Sequence, residues 1–106
     1  MSPGKNDAIN KARKLIALLN SNGIEVYEAY IFGSSVRDKM DESSDIDVAI
    51  VSDKFSGVPF YDALKISKFR RAIDLKLEVH PFSMKDVLND PPLFFVDIKS
   101  KGIPVH

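Results

Sequence analysis

The sequence has no cysteine, no net charge and no long apolar run, and each absence excludes a class of protein. Without cysteine, the 106 residues form neither disulfides nor thiolate metal sites. No stretch approaches the roughly 20 apolar residues that span a bilayer, and residues 1–4 lead into no hydrophobic segment, so we expect a cytoplasmic protein without membrane contact. Because 15 basic residues balance 15 acidic ones, an extended nucleic-acid footprint is not expected.

What is present is the composition of one globular domain. Hydrophobic residues make up 44% of the chain and charged residues 28%, which is ordinary for a folded protein. The length suffices for a single core but not for two, so residues 1–106 are predicted to form one minimal domain. No internal repeat or low-complexity segment interrupts it.

The hydrophobic pattern predicts strands interleaved with helices. Apolar residues spaced by three and four indicate a helix over residues 7–20, and alternating or β-branched runs indicate strands. The predicted strands are 24–32, 45–50 with one packed face, 74–80 ended by Pro81, and a last edge strand at 103–105. The other predicted helices are 60–72, 84–88 and 91–99, with a short helix or turn at 35–39 and a loop at 41–44. This order predicts an α/β (α+β) fold in which helices cover one sheet.

Gly33 and Ser34 follow the apolar run that ends at Phe32. Glycine has no β-carbon, so a phosphate can approach its backbone closely. The Ser34 hydroxyl and the backbone N–H groups of the next turn, beginning at Ser35, would point at the same place. The pair predicts a phosphate cradle, although Gly-Ser is also common in plain strand-to-helix turns.

Asp45 and Asp47 open the second apolar run, ten residues after Ser34. Side chains two apart on a strand project to the same side, so the two carboxylates are expected to converge. Mg²⁺ commonly binds one or two carboxylates and completes its shell with water and phosphate oxygens. The pair predicts a metal site, and two solvated surface acids are the alternative.

A third carboxylate would complete a two-metal arrangement and help to deprotonate an attacking hydroxyl. Asp74 and Glu78 both alternate with apolar residues on the third strand, but they are about 13 Å apart along it, so only one can join the pair. The pattern favours Glu78.

Two further side chains are candidates for the same site. Arg37 could contact a triphosphate, or it could pair with Asp38 or Asp41 at the surface. His80 shares a face with Glu78 and is either a group supporting the site or an ordinary half-exposed histidine.

The chain resembles the polymerase-β-like nucleotidyltransferase superfamily, and within it the minimal nucleotidyltransferases. The resemblance lies in the apolar strand, Gly33-Ser34, the ten-residue spacer and Asp45-Ile46-Asp47. The resemblance implies a mixed sheet flanked by helices. It implies that Asp45 and Asp47 bind Mg²⁺ and that Gly33 and Ser34 hold a nucleoside triphosphate such as ATP. Its third acidic position, on a strand shortly before a proline or turn, matches Glu78.

The resemblance also implies a reaction and a partner. Many similar proteins are antitoxins of helical HEPN toxins, and some transfer AMP from ATP to a tyrosine of that partner. A second copy of the chain could instead complete the acceptor site.

Two departures from the family pattern keep other functions open. Glu78 stands where aspartate is common, and Asp38 where many relatives have glycine. A module that neutralises its partner by contact alone is therefore one alternative. A nucleotidyltransferase acting on a small molecule such as an aminoglycoside is another.

Overall fold

Helices and strands alternate along the part of the chain that the structure describes, residues 4–33 and 45–106 of a computed structural model. In chain order the elements are α1 (Gly4–Ser21), β1 (Glu28–Phe32), β2 (Ile46–Ser52), α2 (Pro59–Ile73), β3 (Leu77–Ser83), α3 (Met84–Asn89), α4 (Leu93–Lys101) and β4 (Ile103–Pro104).

The strands form one mixed sheet in the order β3-β2-β1-β4. β1 pairs antiparallel with β2 and with β4, whereas β2 and β3 are parallel. Parallel neighbours need a crossover connection, and α2 supplies it. The predicted α+β fold with a mixed sheet is thereby confirmed, as are β4 at an edge and the helices near 60–72, 84–88 and 91–99.

α1 begins at Gly4, three residues earlier than predicted, and ends in a glycine turn. Gly23 has a φ of +83°, which an L side chain rarely adopts. The amide of Ile24 donates to the carbonyl of Leu19 at 3.0 Å, and that of Gly23 to Asn20 at 3.3 Å. These two bonds form a Schellman motif, which satisfies carbonyls that the helix end would otherwise leave unpaired.

The two faces of the sheet are covered to different extents. The first face carries Ile31, Val48 and Ile50, and its core also includes apolar residues of α1 and Ile66 of α2. The second face carries Tyr30, Ala49 and Val51, which pack with Phe95 and Ile98 of α4. We call the first of these, which packs against α1 and α2, the closed face, and the other the second face. Side chains alternate along a strand, so Asp47 and Glu78 also belong to the second face.

Three strand predictions are wrong in detail. The first strand begins at Glu28 rather than at residue 24, because the amide of Val26 donates to the side chain of Asn20 at 2.9 Å and is not available for strand pairing. β2 is buried on both faces, because α4 packs against the side that was expected to be open.

β3 is the third correction, since it runs from Leu77 to Ser83 and Pro81 lies within it. In the sheet formed by the described residues, β3 is an edge strand with β2 as its one neighbour, and proline, which lacks an N–H donor, is tolerated on edge strands. The segment at residues 74–76 precedes the strand as a turn.

Two predictions fall outside the described residues: the helix or turn at 35–39 and the loop at 41–44. Within the described ranges, no helix is both long and apolar enough to cross a membrane.

Candidate active site

Two carboxylates meet where β2 and β3 begin to run side by side. Asp47 and Glu78 are partners in the parallel register, so their side chains project from the same side of the sheet at the same level. The Asp47 side chain is partly exposed and Glu78 is exposed, which leaves both accessible to a ligand. The structure thus brings together two of the three acids that the sequence predicts for the site.

His80 joins this pair as a third polar group. It follows Glu78 by two residues on β3, and its Nε2 lies 3.3 Å from Oδ1 of Asp47. One ligand atom each from Asp47, Glu78 and His80 lies within 4.8 Å of the other two. We call these three residues the acid–histidine cluster. The sequence pattern predicted for His80 only a supporting or an ordinary role. The feature of the sequence that indicates its place in the site is the two-residue spacing from Glu78 on one strand.

Aromatic rings surround the imidazole of His80. The ring of Phe32 is 5.0 Å from it and that of Phe94 is 5.8 Å away, centroid to centroid, both in edge-on geometry. Phe32 and Phe94 also contact each other at 5.7 Å. These contacts hold the plane of the imidazole, and the sequence pattern gives no sign of them, because they depend on how α4 packs.

Gly33 lies directly against the Asp47 carboxylate. Its φ is +66°, and a β-carbon at this position would come within 2.6 Å of Oδ2 of Asp47. Only glycine fits both the conformation and the space. The glycine predicted for phosphate binding is therefore beside an acid predicted for metal binding, as a combined site requires. Ser34, Ser35 and Arg37, the other predicted nucleotide-binding residues, lie outside the described residues.

Asp45 precedes β2 by one residue and is exposed. It is not a member of the acid–histidine cluster. It lines a cavity of about 330 Å³ that Glu78 also lines. Arg70 borders the same cavity and donates to the carbonyls of Leu75 and Leu77 at 3.1 and 3.0 Å. Asp45 is thus near Glu78 across a shared cavity, on the side where β2 begins.

Asp74, the alternative to Glu78, is engaged elsewhere. It follows the last residue of α2 and forms an ion pair with Lys11 of α1. The hydrogen bond from Lys11, with a second from the backbone of Lys76, holds the pKa of the Asp74 carboxyl below its ordinary value. The geometry therefore favours Glu78 as the third acid, and Asp74 connects two helices.

Asp62 is a buried acid that also lies outside the cluster. Its carboxylate accepts hydrogen bonds from the amide and the hydroxyl of Ser56 at 2.7 and 2.9 Å, and from the amide of Gly57 at 3.0 Å. These bonds fix the loop before α2, so this carboxylate is structural.

The donor set of the cluster fits a divalent metal ion. Carboxylate oxygens are the usual protein ligands of Mg²⁺ and Mn²⁺, and imidazole nitrogen is a common ligand of transition metals. Two adjacent carboxylates repel each other when both are ionised, and a bound cation would remove that cost. An ion held here, with the Gly33 backbone beside it, could act on a phosphate group.

The chain is similar to known proteins in sequence and in fold. Residues 13–106 match the protein family described as "Polymerase beta, Nucleotidyltransferase". The fold is similar to the crystal structure of a candidate nucleotidyltransferase from Sulfolobus solfataricus. The TM-score is 0.59 with 21% identity, over 77% of this chain and 72% of that one. No curated protein matches the sequence significantly. Since the family match spans most of the chain, the protein belongs to the polymerase β nucleotidyltransferase family.

Proposed function

We propose that this protein transfers an adenylyl group from ATP to a hydroxyl on a partner protein. The observation that carries the proposal is the meeting of Asp47, Glu78 and Gly33 at one end of a nucleotidyltransferase sheet. Nucleotidyl transfer needs acids that hold metal ions and a backbone that phosphate can approach, and the residues proposed for these two roles adjoin here.

The chain's own residues would divide the work. Asp47 and Glu78, with Asp45, would hold divalent ions, for which the resemblance implies Mg²⁺. When bound, such ions neutralise triphosphate charge and stabilise the pyrophosphate leaving group. Gly33, which lacks a β-carbon, leaves room for the Asp47 carboxylate, and the phosphates would approach its backbone beside that carboxylate. A carboxylate oxygen of the exposed Glu78 would accept the proton of the acceptor hydroxyl. The oxygen of that hydroxyl would form a bond to the α-phosphorus. The bond from that phosphorus to the bridging oxygen of the β-phosphate breaks, and pyrophosphate leaves.

A partner protein is supported by an apolar surface next to this site. Phe60, Tyr61 and Leu64, near the start of α2, expose more than half of their surface. A cavity of about 310 Å³ is bordered by Pro59 and Ala63 of α2 together with Glu78, so this part of α2 reaches the candidate catalytic acid. Contiguous exposed apolar residues mark interaction sites. A helical HEPN-type toxin is the partner that the resemblance implies, which would make this protein the antitoxin.

The same surface favours a second candidate function, neutralisation of the partner by contact alone. The apolar residues of α2 would act without turnover, and the acid–histidine cluster would then bind ligands without transferring a nucleotide. The two candidates differ in one respect that can be measured: only the first requires Asp47.

The test is label transfer from α-³²P-ATP to a co-purifying partner protein, with Mg²⁺ or Mn²⁺ present. Wild type is compared with Asp45→Ala/Asp47→Ala and with Glu78→Gln. The matched control is Asp97→Asn, which removes an exposed acid of α4 that pairs with Lys101 and is not a member of the cluster. We expect label on the partner with wild type and the control, and none with the site variants.

Other distributions of label decide between the candidates. Label on this chain itself would indicate that a second copy supplies the acceptor. No label on any protein, with the partner bound and silenced equally by wild type and the double variant, would reject the transfer proposal in favour of contact.

A further inference from the structure

We propose that His80 is a nitrogen ligand of the metal site and shifts its preference from Mg²⁺ towards transition-metal ions such as Mn²⁺ and Zn²⁺. The proposal rests on the metal site of the proposed function and concerns the identity of its ion. The carboxylates of this site were predicted from the sequence as an oxygen-only set. The structure adds an imidazole to them.

The separation of the ligand atoms suits a shared ion. His80 Nε2 and Asp47 Oδ1 are 3.3 Å apart. Two ligands of one ion with bonds of about 2.1 Å lie about 3.0 Å apart in octahedral geometry and about 3.4 Å apart in tetrahedral geometry. Glu78 offers a carboxylate oxygen within 4.8 Å of one ligand atom of each of the other two residues, and its side chain is exposed, so the three residues can supply donors to one ion.

The imidazole is held in place before any ion binds. Edge-on contacts with Phe32 and Phe94 fix the ring on two sides, and β3 fixes its backbone in register with β2. A ligand whose orientation is set in advance loses little conformational entropy on binding. The side chain is also partly exposed, so an ion can reach it without unfolding of the sheet.

The chemistry of the donors predicts the direction of the preference. Mg²⁺ selects oxygen ligands and demands near-ideal octahedral geometry, so an imidazole contributes little to its binding. Imidazole suits zinc and other transition metals, which generally bind nitrogen-containing sites more tightly. His80 should therefore raise the affinity for Mn²⁺ and Zn²⁺ while leaving that for Mg²⁺ nearly unchanged.

A hydrogen bond from His80 to Asp47 is the competing explanation of the 3.3 Å distance. In that case His80 would orient the Asp47 carboxylate, and removal of the imidazole would weaken the binding of all divalent ions alike. The two roles thus differ in selectivity and in whether nitrogen contacts the ion.

The experiment measures the binding of Mn²⁺, Zn²⁺ and Mg²⁺ to the protein by calorimetry, without nucleotide. His80→Phe keeps an aromatic ring among Phe32 and Phe94 but removes the nitrogen, and His80→Gln is a second variant that keeps a polar side chain. His106→Gln is the matched control, because the chain has two histidines and His106 borders a different cavity, with Asn20 and Glu25. Thermal unfolding of each metal-free variant checks that the fold persists.

We expect His80→Phe to weaken Mn²⁺ and Zn²⁺ at least about tenfold, since even the partners of metal ligands change affinity 10–100-fold. Mg²⁺ affinity should change less than about threefold in the same variant. Electron spin-echo spectra of bound Mn²⁺ should show ¹⁴N coupling in wild type and His106→Gln, and none in either His80 variant.

Two results would overturn the proposal. One is an equal loss of affinity for all three ions, which assigns His80 to orienting Asp47. The other is the absence of ¹⁴N coupling from Mn²⁺ bound to wild type. Neither depends on nucleotide transfer, so a negative labelling experiment alongside nitrogen-coupled Mn²⁺ would reject the proposed function and leave this inference standing.

Discussion

The closed face and the second face of the sheet are built from the same strands but differ in what covers them. The closed face is apolar along β1 and β2 and packs in one core with α1 and α2. On the second face, α4 packs over Tyr30, Ala49 and Val51, whereas Asp47 and Glu78 stay partly or fully exposed. One strand, β2, contributes to both, because its side chains alternate.

The difference shows how a chain of this length combines a stable core with a reactive site. Burial of apolar side chains stabilises the fold at about 25 cal/mol per Å². Ionised carboxylates are costly to bury, and Asp47 and Glu78 accordingly lie at the end of the second face that remains open. Substitutions on the two faces should therefore separate effects on stability from effects on the chemistry of the site.

The largest expected effect is on activity, from Asp47→Asn on the second face. Loss of a metal-binding carboxylate removes several kcal/mol of transition-state stabilisation, or roughly a thousandfold in rate. The free energy of unfolding should change by less than about 1 kcal/mol, because the Asp47 side chain is partly exposed and its contact with His80 is also partly exposed. Label-transfer rates and urea unfolding measure the two effects. A loss of stability as large as that of a core deletion would contradict the separation.

On the closed face, Ile50→Ala should reverse this pattern. Ile50 is fully buried, and deletion of a buried isoleucine typically costs about 2–5 kcal/mol. Transfer activity per folded molecule should persist at temperatures where the variant remains folded. Phe94→Ala is the comparison on the second face: its ring is 51% exposed, so we expect about 1 kcal/mol. Urea unfolding of both variants tests the ranking, which equal losses would contradict.

Two of the glycines with positive φ, Gly33 and Gly23, provide a matched pair. Gly33→Ala and Gly23→Ala should both lose about 1–2 kcal/mol of stability from the left-handed conformation. A β-carbon at Gly23 meets nothing within 4 Å, whereas one at Gly33 displaces the Asp47 carboxylate. Gly33→Ala alone should therefore weaken Mn²⁺ binding, by at least about tenfold. Equal Mn²⁺ affinities in the two variants would show that the contact with Asp47 does not matter.

The smallest effect should come from Asp74→Asn, which removes the ion pair between α1 and the end of α2. We expect a loss of about 0.2–1 kcal/mol at pH 7, as for other exposed or half-exposed pairs. The pKa of Asp74 is lowered in the folded protein by Lys11, so the carboxylate stabilises the fold above its ordinary pKa of 3.8. That contribution is lost as pH falls through the folded pKa.

Unfolding experiments from pH 7 down to pH 2 measure this effect. Wild type and Asp74→Asn should converge at the acidic end of the series. Metal affinity should be the same in both proteins. A loss of Mn²⁺ binding in Asp74→Asn would indicate that Asp74 belongs to the metal site.

Much of the fold was predictable because the hydrophobic periods are regular. The helices at 7–20 and 60–72 and the strand after Asp45 were predicted within a few residues. Pro81 was misinterpreted, because the tolerance of proline in β3 depends on β3 being an edge strand. The burial of Ala49 and Val51 was missed for a similar reason, since it depends on where α4 packs.

The candidate site was predictable in part. Spacing within one strand indicated Asp45 and Asp47, but the choice of Glu78 over Asp74 depends on the register of β2 with β3, which a local pattern does not encode. The contact of His80 with Asp47 joins residues 33 positions apart, and the rings of Phe32 and Phe94 close around it from separate elements. Such contacts arise from tertiary packing.

A crystal structure grown with Mn²⁺ and a non-hydrolysable ATP analogue, with anomalous scattering to locate the metal, tests the proposed site most directly. We expect an Mn²⁺ peak bound by Asp47 and Glu78, with the triphosphate next to the backbone of Gly33. Full occupancy by the analogue without metal at these carboxylates, or with metal only elsewhere, would contradict the proposed site.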